Sequence, residues 1–348
     1  MNPYIQIGKR KIGQDYPPLV IAEIGINHEG SMKKAMRMVD DAHKAGAECV
    51  KFQSHVIEDE MIPEAKKVIP GNATVSIYDI MKRCAFSESQ ERKIKRYVEK
   101  KGMLFLSTPF SRAAADRLRR MKVRFYKIGS GECNNYPLVE HIAKFGKPVI
   151  LSTGMNDIPA VKKAVSIFRK HNTPYALLHC TSMYPTPYSK VRLGAIAELR
   201  RAFPDAVLGL SDHSLGNYTC FGAVALGGGA ILEKHFTSNK KWPGPDVPIS
   251  IDPRELGELI EGSRAIHQAL GGNKNILKEE KPTIDFAYAC VVTIKNVAKG
   301  EKLTRENIWV KRPGTGEIKA VDFTKLLGKI ARKSISKDMQ LSWDHIKK

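Results

Sequence analysis

The sequence predicts an α/β chain, a (β/α)8 or TIM barrel followed by a small β-rich module. Three observations predict it. Eight short apolar runs recur within the first 235 residues, and nearly all end in a polar or charged side chain. Most segments between them carry helical periodicity, the alternation of a barrel whose active site gathers at the C-terminal strand ends. After Gly272 the rhythm stops, and short β-like runs with tight turns take over.

In order, the runs are Leu19–Ile24, Cys49–Phe52, Leu104–Leu106, Phe125–Ile128, Val149–Leu151, Ala176–Leu178, Val207–Leu210 and Ile231–Leu232. Ser31 is placed to cap a helix with apolar residues at Met32, Ala35, Met36, Val39 and Ala42, closed by Gly46. Ser87-Glu88-Ser89-Gln90 has capping-box spacing ahead of Ile94, Tyr97 and Val98. Asp252-Pro253-Arg254-Glu255 combines a cap with a proline in the first turn of a helix ending at Gly271-Gly272. The stretch from Gln53 to Ile80, with its prolines and polar residues, reads as an extended loop over the barrel mouth, and such loops are usually functional. The expected organisation is a barrel over residues 1–273, a polar linker over 274–286 and a module over 287–348. That module, with runs at Ala289–Ile294 and Ile308–Val310 and helical pieces near Phe323–Leu327, is small enough that docking on a partner surface would help it.

Composition narrows the function. No apolar run is long enough to span a bilayer and the start lacks a secretory core, so no membrane partner is expected. Cys49, Cys84, Cys133, Cys180, Cys220 and Cys290 are scattered without CxxC spacing, which points to buried thiols in a reducing cytoplasm. The net charge of +21 suggests nucleic acid at first sight. The lysines and arginines are, however, spread over helix faces, with no aromatic RNA-binding stretch, finger spacing or basic tail. A solvated basic surface is the simpler reading, and no nucleic-acid partner is expected; part of the charge can draw anionic substrates to a cleft.

The strand ends carry the chemistry. His213 follows the seventh run and His235 ends the eighth, so two imidazoles on adjacent strand ends can share a divalent metal with open positions. The alternative is two packed or hydrogen-bonding histidines. Asp212 and Glu233 can orient the imidazoles. Lys51 and Lys127 end the second and fourth runs, where an unpaired inward lysine is costly. Either they pair with Glu23 or Glu132, or they clamp an anion, or one forms a Schiff base. Ser107-Thr108, Ser130-Gly131 and Ser152-Thr153-Gly154 favour the anion site, since hydroxyls and backbone N–H groups there suit phosphate and carboxylate. Glu23 and Glu132 can each be an acid, a base or a counterion.

Taken together these segments closely resemble the bacterial sialic acid (N-acetylneuraminate) synthase family. The resemblance runs through Ile21-Ala22-Glu23-Ile24-Gly25-Ile26-Asn27-His28, Val50-Lys51-Phe52-Gln53, Lys127-Ile128-Gly129-Ser130-Gly131-Glu132, Leu151-Ser152-Thr153-Gly154-Met155, Tyr184-Pro185-Thr186-Pro187, Gly209-Leu210-Ser211-Asp212-His213, Glu233-Lys234-His235-Phe236 and Gly244-Pro245-Asp246. Val310-Lys311-Arg312-Pro313-Gly314 resembles the antifreeze-like (SAF) domain at the C-terminus of these enzymes.

The resemblance implies condensation of phosphoenolpyruvate with N-acetylmannosamine. It further implies a divalent cation, Mn²⁺ with Mg²⁺ or Co²⁺ as alternatives, on His213 and His235, with Glu23 near the reacting centre. Lys51, Thr108, Lys127, Ser130, Ser152 and Ser211 would hold phosphoenolpyruvate. Gln53, Asn72, Glu132, Tyr184, Asp246 and Phe286 would contact the sugar, with Arg312 arriving from the second subunit of a domain-swapped homodimer. Ser182, where some relatives have asparagine, and the extra glycine in Gly227-Gly228-Gly229 depart from the pattern. Three alternatives stand beside this reading: a synthase of legionaminic or pseudaminic acid acting on a 2,4-diacetamido-2,4,6-trideoxyhexose, a barrel making seven- or eight-carbon keto sugar acid phosphates, and a non-catalytic carbohydrate or nucleic-acid binder.

Overall fold

The computed structural model describes residues 2–347. A hairpin, β1 (Tyr4–Ile7) with β2 (Arg10–Gly13), comes first. Eight parallel strands follow: β3 (Leu19–Gly25), β4 (Cys49–Ser54), β5 (Leu104–Pro109), β6 (Tyr126–Ile128), β7 (Val149–Ser152), β8 (Tyr175–Cys180), β9 (Val207–Asp212) and β10 (Ile231–His235). Their hydrogen-bonded order is β5-β4-β3-β10-β9-β8-β7-β6, and β5 and β6 abut without a ladder, so the barrel is nearly closed.

The two-residue period of each strand sorts its side chains. On β3, Val20, Ala22 and Ile24 join the apolar cluster shared with the helices, whereas Leu19 and Ile21 join a second cluster inside the barrel. The next residue in the inward series is Glu23. The other strands repeat the scheme: Cys49 then Lys51, Leu106 then Thr108, Phe125 then Lys127, Ile150 then Ser152, and Ile231 then Glu233. The barrel interior is therefore apolar below and ionic above. Gly209 completes the inner packing, because a Cβ there would stand 2.3 Å from the Ile231 carbonyl oxygen and 2.4 Å from Leu178 Cδ2.

The hairpin was not anticipated from the sequence. Its Ile5, Ile7 and Ile12 belong to the inner apolar cluster and plug the end of the barrel opposite the ionic layer. Only four residues of alternation announce each strand, too few to stand out in a polar segment.

The expected helix caps are formed. Ser31 accepts from Lys34 N at 3.3 Å, and Ser87 with Gln90 and Asp252 with Glu255 make reciprocal capping boxes. In the first helix Met38, not the expected Met36, enters the core. The stretch from Gln53 to Ile80 is not a plain loop: it holds a helix at Ile57–Glu60, a 3-10 turn at Pro63–Lys67 and the start of a helix at Ile77–Cys84. Proline is tolerated in a first turn, and Ser76 caps the last helix through Asp79 N at 3.1 Å.

The chain divides into two compact units between Gly271 and Gly272. The segment expected as a linker carries a short helix, Lys281–Ala287, with proline in its first turn. In the second unit β11 (Cys290–Thr293) pairs antiparallel with β12 (Ile308–Lys311) over a core containing Val291, Leu303, Ile318, Leu326 and Leu341.

Between strands and helices lies one buried ion pair, Lys234 Nζ to Asp212 Oδ2 at 2.6 Å. Thr219 and Ser214 hydroxyls also donate to this carboxylate, and burial alone would raise it, yet these partners hold it below the usual range. Lys234→Met should leave an uncompensated buried carboxylate and cost about 3–5 kcal/mol in urea unfolding. A loss under about 1 kcal/mol would show that the pair is solvated.

Candidate active site

One cavity of about 150 Å³ opens at the C-terminal end of the barrel, and the inward series forms its floor. Glu23 Oε2 lies 3.0 Å from Lys51 Nζ. Glu233 Oε1 stands between the two lysines, 3.6 Å from Lys51 Nζ and 3.9 Å from Lys127 Nζ, and accepts from Ser211 Oγ at 3.0 Å. Lys51 also donates to Thr108 Oγ1 at 3.2 Å, and Lys127 to Ser152 Oγ at 2.6 Å. Two cations and two anions thus share a layer that water barely reaches.

Burial and mutual charge set their proton affinities. Burial pushes Glu23 up to about 7, with Glu233 adding repulsion and Lys51 opposing. Burial pulls Lys127 down to about 8 despite Glu233. For Lys51 the two carboxylates outweigh burial and raise it; for Glu233 the two lysines outweigh burial and lower it.

Above this floor His213 and His235 face each other with ring centroids 5.4 Å apart, and Tyr184 stacks on His213 at 4.2 Å. His213 Nδ1 is 3.0 Å from the Thr181 carbonyl, an acceptor, so Nδ1 carries a proton and Nε2 is the nitrogen left for a ligand; burial opposes charge on this ring, but Cys180 and the carbonyl raise it above the ordinary histidine range. Burial, then the neighbouring cations, hold His235 well below the ordinary histidine range, and its buried Nδ1 has no hydrogen-bond partner. Asp246 Oδ2 lies 3.7 Å from that nitrogen, and burial pushes Asp246 up to about 6. A neutral imidazole with an unused nitrogen, a second with a fixed tautomer and a carboxylate nearby fit a divalent cation that prefers N and O donors. Among the described residues no three His, Cys, Asp or Glu side chains are placed together to hold a metal ion, so the protein itself would offer a cation the two imidazoles.

The cavity brings together Glu23, Lys51, Gln53, Thr108, Lys127, Ser130, Ser152, Tyr184, Ser211, His213 and His235 of the sequence-predicted set. Asn72 lines a neighbouring cleft, and its Nδ2 lies 3.4 Å from Asp246 Oδ1. Glu132 is half-buried and accepts from Asn135 at 2.6 Å; it is not a lysine counterion, and Glu233 takes that place. In the second unit the Arg312 guanidinium lies 5.9 Å from the Phe286 ring, and both residues are exposed.

Three readings of neighbouring residues change. Glu233 faces the lysines rather than orienting an imidazole, and the alternation Ile231, Glu233, His235 was the available signal. Asp212 points outward to Lys234. Cys180 is buried as expected, but it lines the cavity with Sγ 3.8 Å from His213 Nδ1. His28 packs beneath the site, stacked on Phe86 at 4.2 Å, and burial holds it neutral at about 3.

Residues 38–275 match the NeuB family, and residues 288–347 match the SAF domain. The chain belongs to the NeuB family of sialic-acid-type synthases. Among relatives of this NeuB-family chain, an N,N'-diacetyllegionaminic acid synthase of Campylobacter jejuni is 36% identical, covering 92% of this chain and 97% of the relative. The human N-acetylneuraminate-9-phosphate synthase is 34% identical, covering 94% and 92%. The crystal structure of N-acetylneuraminic acid (sialic acid) synthetase from Leptospira borgpetersenii in complex with citrate superposes with a TM-score of 0.74 at 34% identity, covering 82% of this chain and 96% of that one. Among the described residues no helix is long and apolar enough to cross a membrane.

Only the ammonium form of Lys127 can attract an anion, and burial has it lost as pH rises through about 8. Inorganic phosphate should therefore bind more weakly from pH 8 upward, by up to about tenfold per pH unit once the lysine is neutral. Titration calorimetry between pH 7.5 and 9.5 checks this; a flat dissociation constant across that range would remove Lys127 from the anion site.

Proposed function

We propose that this enzyme condenses phosphoenolpyruvate with N-acetylmannosamine and water, giving N-acetylneuraminic acid and phosphate by C–O cleavage. The layer of Lys51 and Lys127 interleaved with Glu23 and Glu233, beneath two imidazoles in one small cavity, carries the reading. The lysines, with the hydroxyls of Thr108, Ser130, Ser152 and Ser211, bind the phosphate and carboxylate of the donor. His213 and His235 would hold a divalent cation, Mn²⁺ foremost, which supplies Lewis acidity at the aldehyde of the open-chain sugar.

C3 of phosphoenolpyruvate forms the new bond to the aldehyde carbon, whose oxygen takes a proton. C2 is left as an oxocarbenium ion. The Glu23 carboxylate stabilises this positive charge, which exists only during reaction. Water adds to C2 and gives up a proton, which Glu23, poised near 7, is suited to accept. The C2 hydroxyl of the adduct then gives up its proton, to the departing phosphate or solvent, as phosphate leaves with the bridging oxygen, forming the C2 carbonyl of the 2-keto acid.

The acceptor side would be Gln53, Asn72, Glu132, Tyr184 and Asp246, with Phe286 and the partner's Arg312 completing it in a domain-swapped homodimer in the cytoplasm. The segments around residues 58–61, 68–73, 76–78 and 131–136 resemble the N-acetylmannosamine-using bacterial branch of the family, which supports the unmodified sugar. The identity to a legionaminic acid synthase supports a second reading, in which the acceptor is 2,4-diacetamido-2,4,6-trideoxymannose.

Phosphate release with Mn²⁺ and each acceptor, with products weighed by mass spectrometry, separates these readings. N-acetylmannosamine is expected to give the highest kcat/KM; preference for the diacetamido sugar would move the product to legionaminic acid, and silence with both sugars and the 6-phosphate would reject the reaction. Glu23→Gln should lower kcat about 10²–10³-fold with donor KM little changed. His213→Ala and His235→Ala should abolish turnover and weaken Mn²⁺ binding in a direct metal titration, and full activity after rigorous chelation would contradict the metal role.

A further inference from the structure

The loop after β4 carries a hydrogen-bonded pair, His55 and Glu60, that the mechanism above does not use. His55 is buried directly after β4, with Nδ1 2.8 and 3.1 Å from the two carboxylate oxygens of Glu60. Its Nε2 lies 3.2 Å from Gln53 Oε1, and Gln53 Nε2 lies 3.1 Å from Glu23 Oε1. The ring also stacks on Phe110 at 4.8 Å with planes 10° apart.

Both neighbours of the ring are acceptors, so this arrangement is satisfied when both ring nitrogens carry protons: Nδ1–H donates to Glu60 and Nε2–H donates to Gln53. The amide of Gln53 then has one orientation. Its oxygen is occupied by His55 and its NH₂ faces Glu23. A rotated amide would set its oxygen against the Glu23 carboxylate. Glu60 is held in place because its short helix, Ile57–Glu60, buries Ile57 and ties Asp59 to Ala113 N at 2.6 Å.

We propose that His55, held by Glu60, is a positioning residue that fixes the Gln53 amide for the acceptor sugar and for Glu23. It touches neither substrate itself. The inference builds on the acceptor role given to Gln53 above.

His55→Phe keeps an aromatic ring against Phe110 and removes both N–H donors. It should lower kcat/KM for the acceptor about tenfold, the loss of one charge-assisted hydrogen bond, with donor KM within about twofold of wild type. His55→Gln sets an amide NH₂ near the place of Nε2 and should recover most of that loss. His55→Asn places its amide near Nδ1 and should not, and this pair stays informative if the Phe variant folds poorly. Wild-type kinetics in His55→Phe, a donor KM rising in step with the acceptor KM, or no difference between the Gln and Asn variants would overturn the proposal. Should the wild-type enzyme use none of the acceptors, the functional reading fails on its own. The positioning is then read from a crystal structure of His55→Gln beside His55→Asn: Gln53 displaced only in the Asn variant supports it, and Gln53 unmoved in both overturns it.

Discussion

The site depends on the buried quartet of Glu23, Lys51, Glu233 and Lys127. Isolated, any one of these charges would be expelled from the barrel interior or neutralised. Together they balance, and the hydroxyls of Thr108, Ser152 and Ser211 supply further hydrogen bonds. The balance is not tight: burial leaves Glu23 near 7 and Lys127 near 8. Such a layer is costly as structure but well suited to a trianionic donor, whose arrival favours the ammonium of Lys127. The apolar layer below, sealed by Ile5, Ile7 and Ile12 of the hairpin, keeps water from screening these charges from beneath.

Much of this was legible in the sequence because a barrel strand writes its floor and its active site with one period. Leu19, Ile21 and Glu23 occupy successive inward positions, and the same step leads from Cys49 to Lys51 and from Phe125 to Lys127. Glu233 obeys the same rule: two residues after Ile231 and two before His235 it continues the inward series, so it faces the lysines and not an imidazole. Asp212 sits one residue out of phase, and the helix layer rather than the cavity received it. Long-range pairing escaped the sequence: nothing local announces that Glu233 would serve both lysines, or that the hairpin would close the barrel. The resemblance of the motifs to the synthase family carried the reaction, which alternation alone does not encode.

The acceptor side was less legible, for a physical reason. Gln53 continues the inward series of β4 after Lys51, but Asn72, Glu132, Tyr184 and Asp246 come from connections, where no period constrains which way a side chain points. The stretch after β4 looked structureless, yet Asp59 and Glu60 reach back to the helix at Arg112–Arg120 and to His55. On the proposed roles, most donor residues stand at strand ends, whereas most acceptor residues other than Gln53 stand in the connections.

The central claim is that the quartet serves a cation at C2 of the donor, stabilised by Glu23, so that the carbon–oxygen bond breaks. Phosphoenolpyruvate labelled with ¹⁸O in its bridging oxygen tests this directly. The account requires the label to leave with phosphate, seen as a mass increase in the released ion. Label retained in the keto acid, with unlabelled phosphate, would mean phosphorus–oxygen cleavage and contradict it.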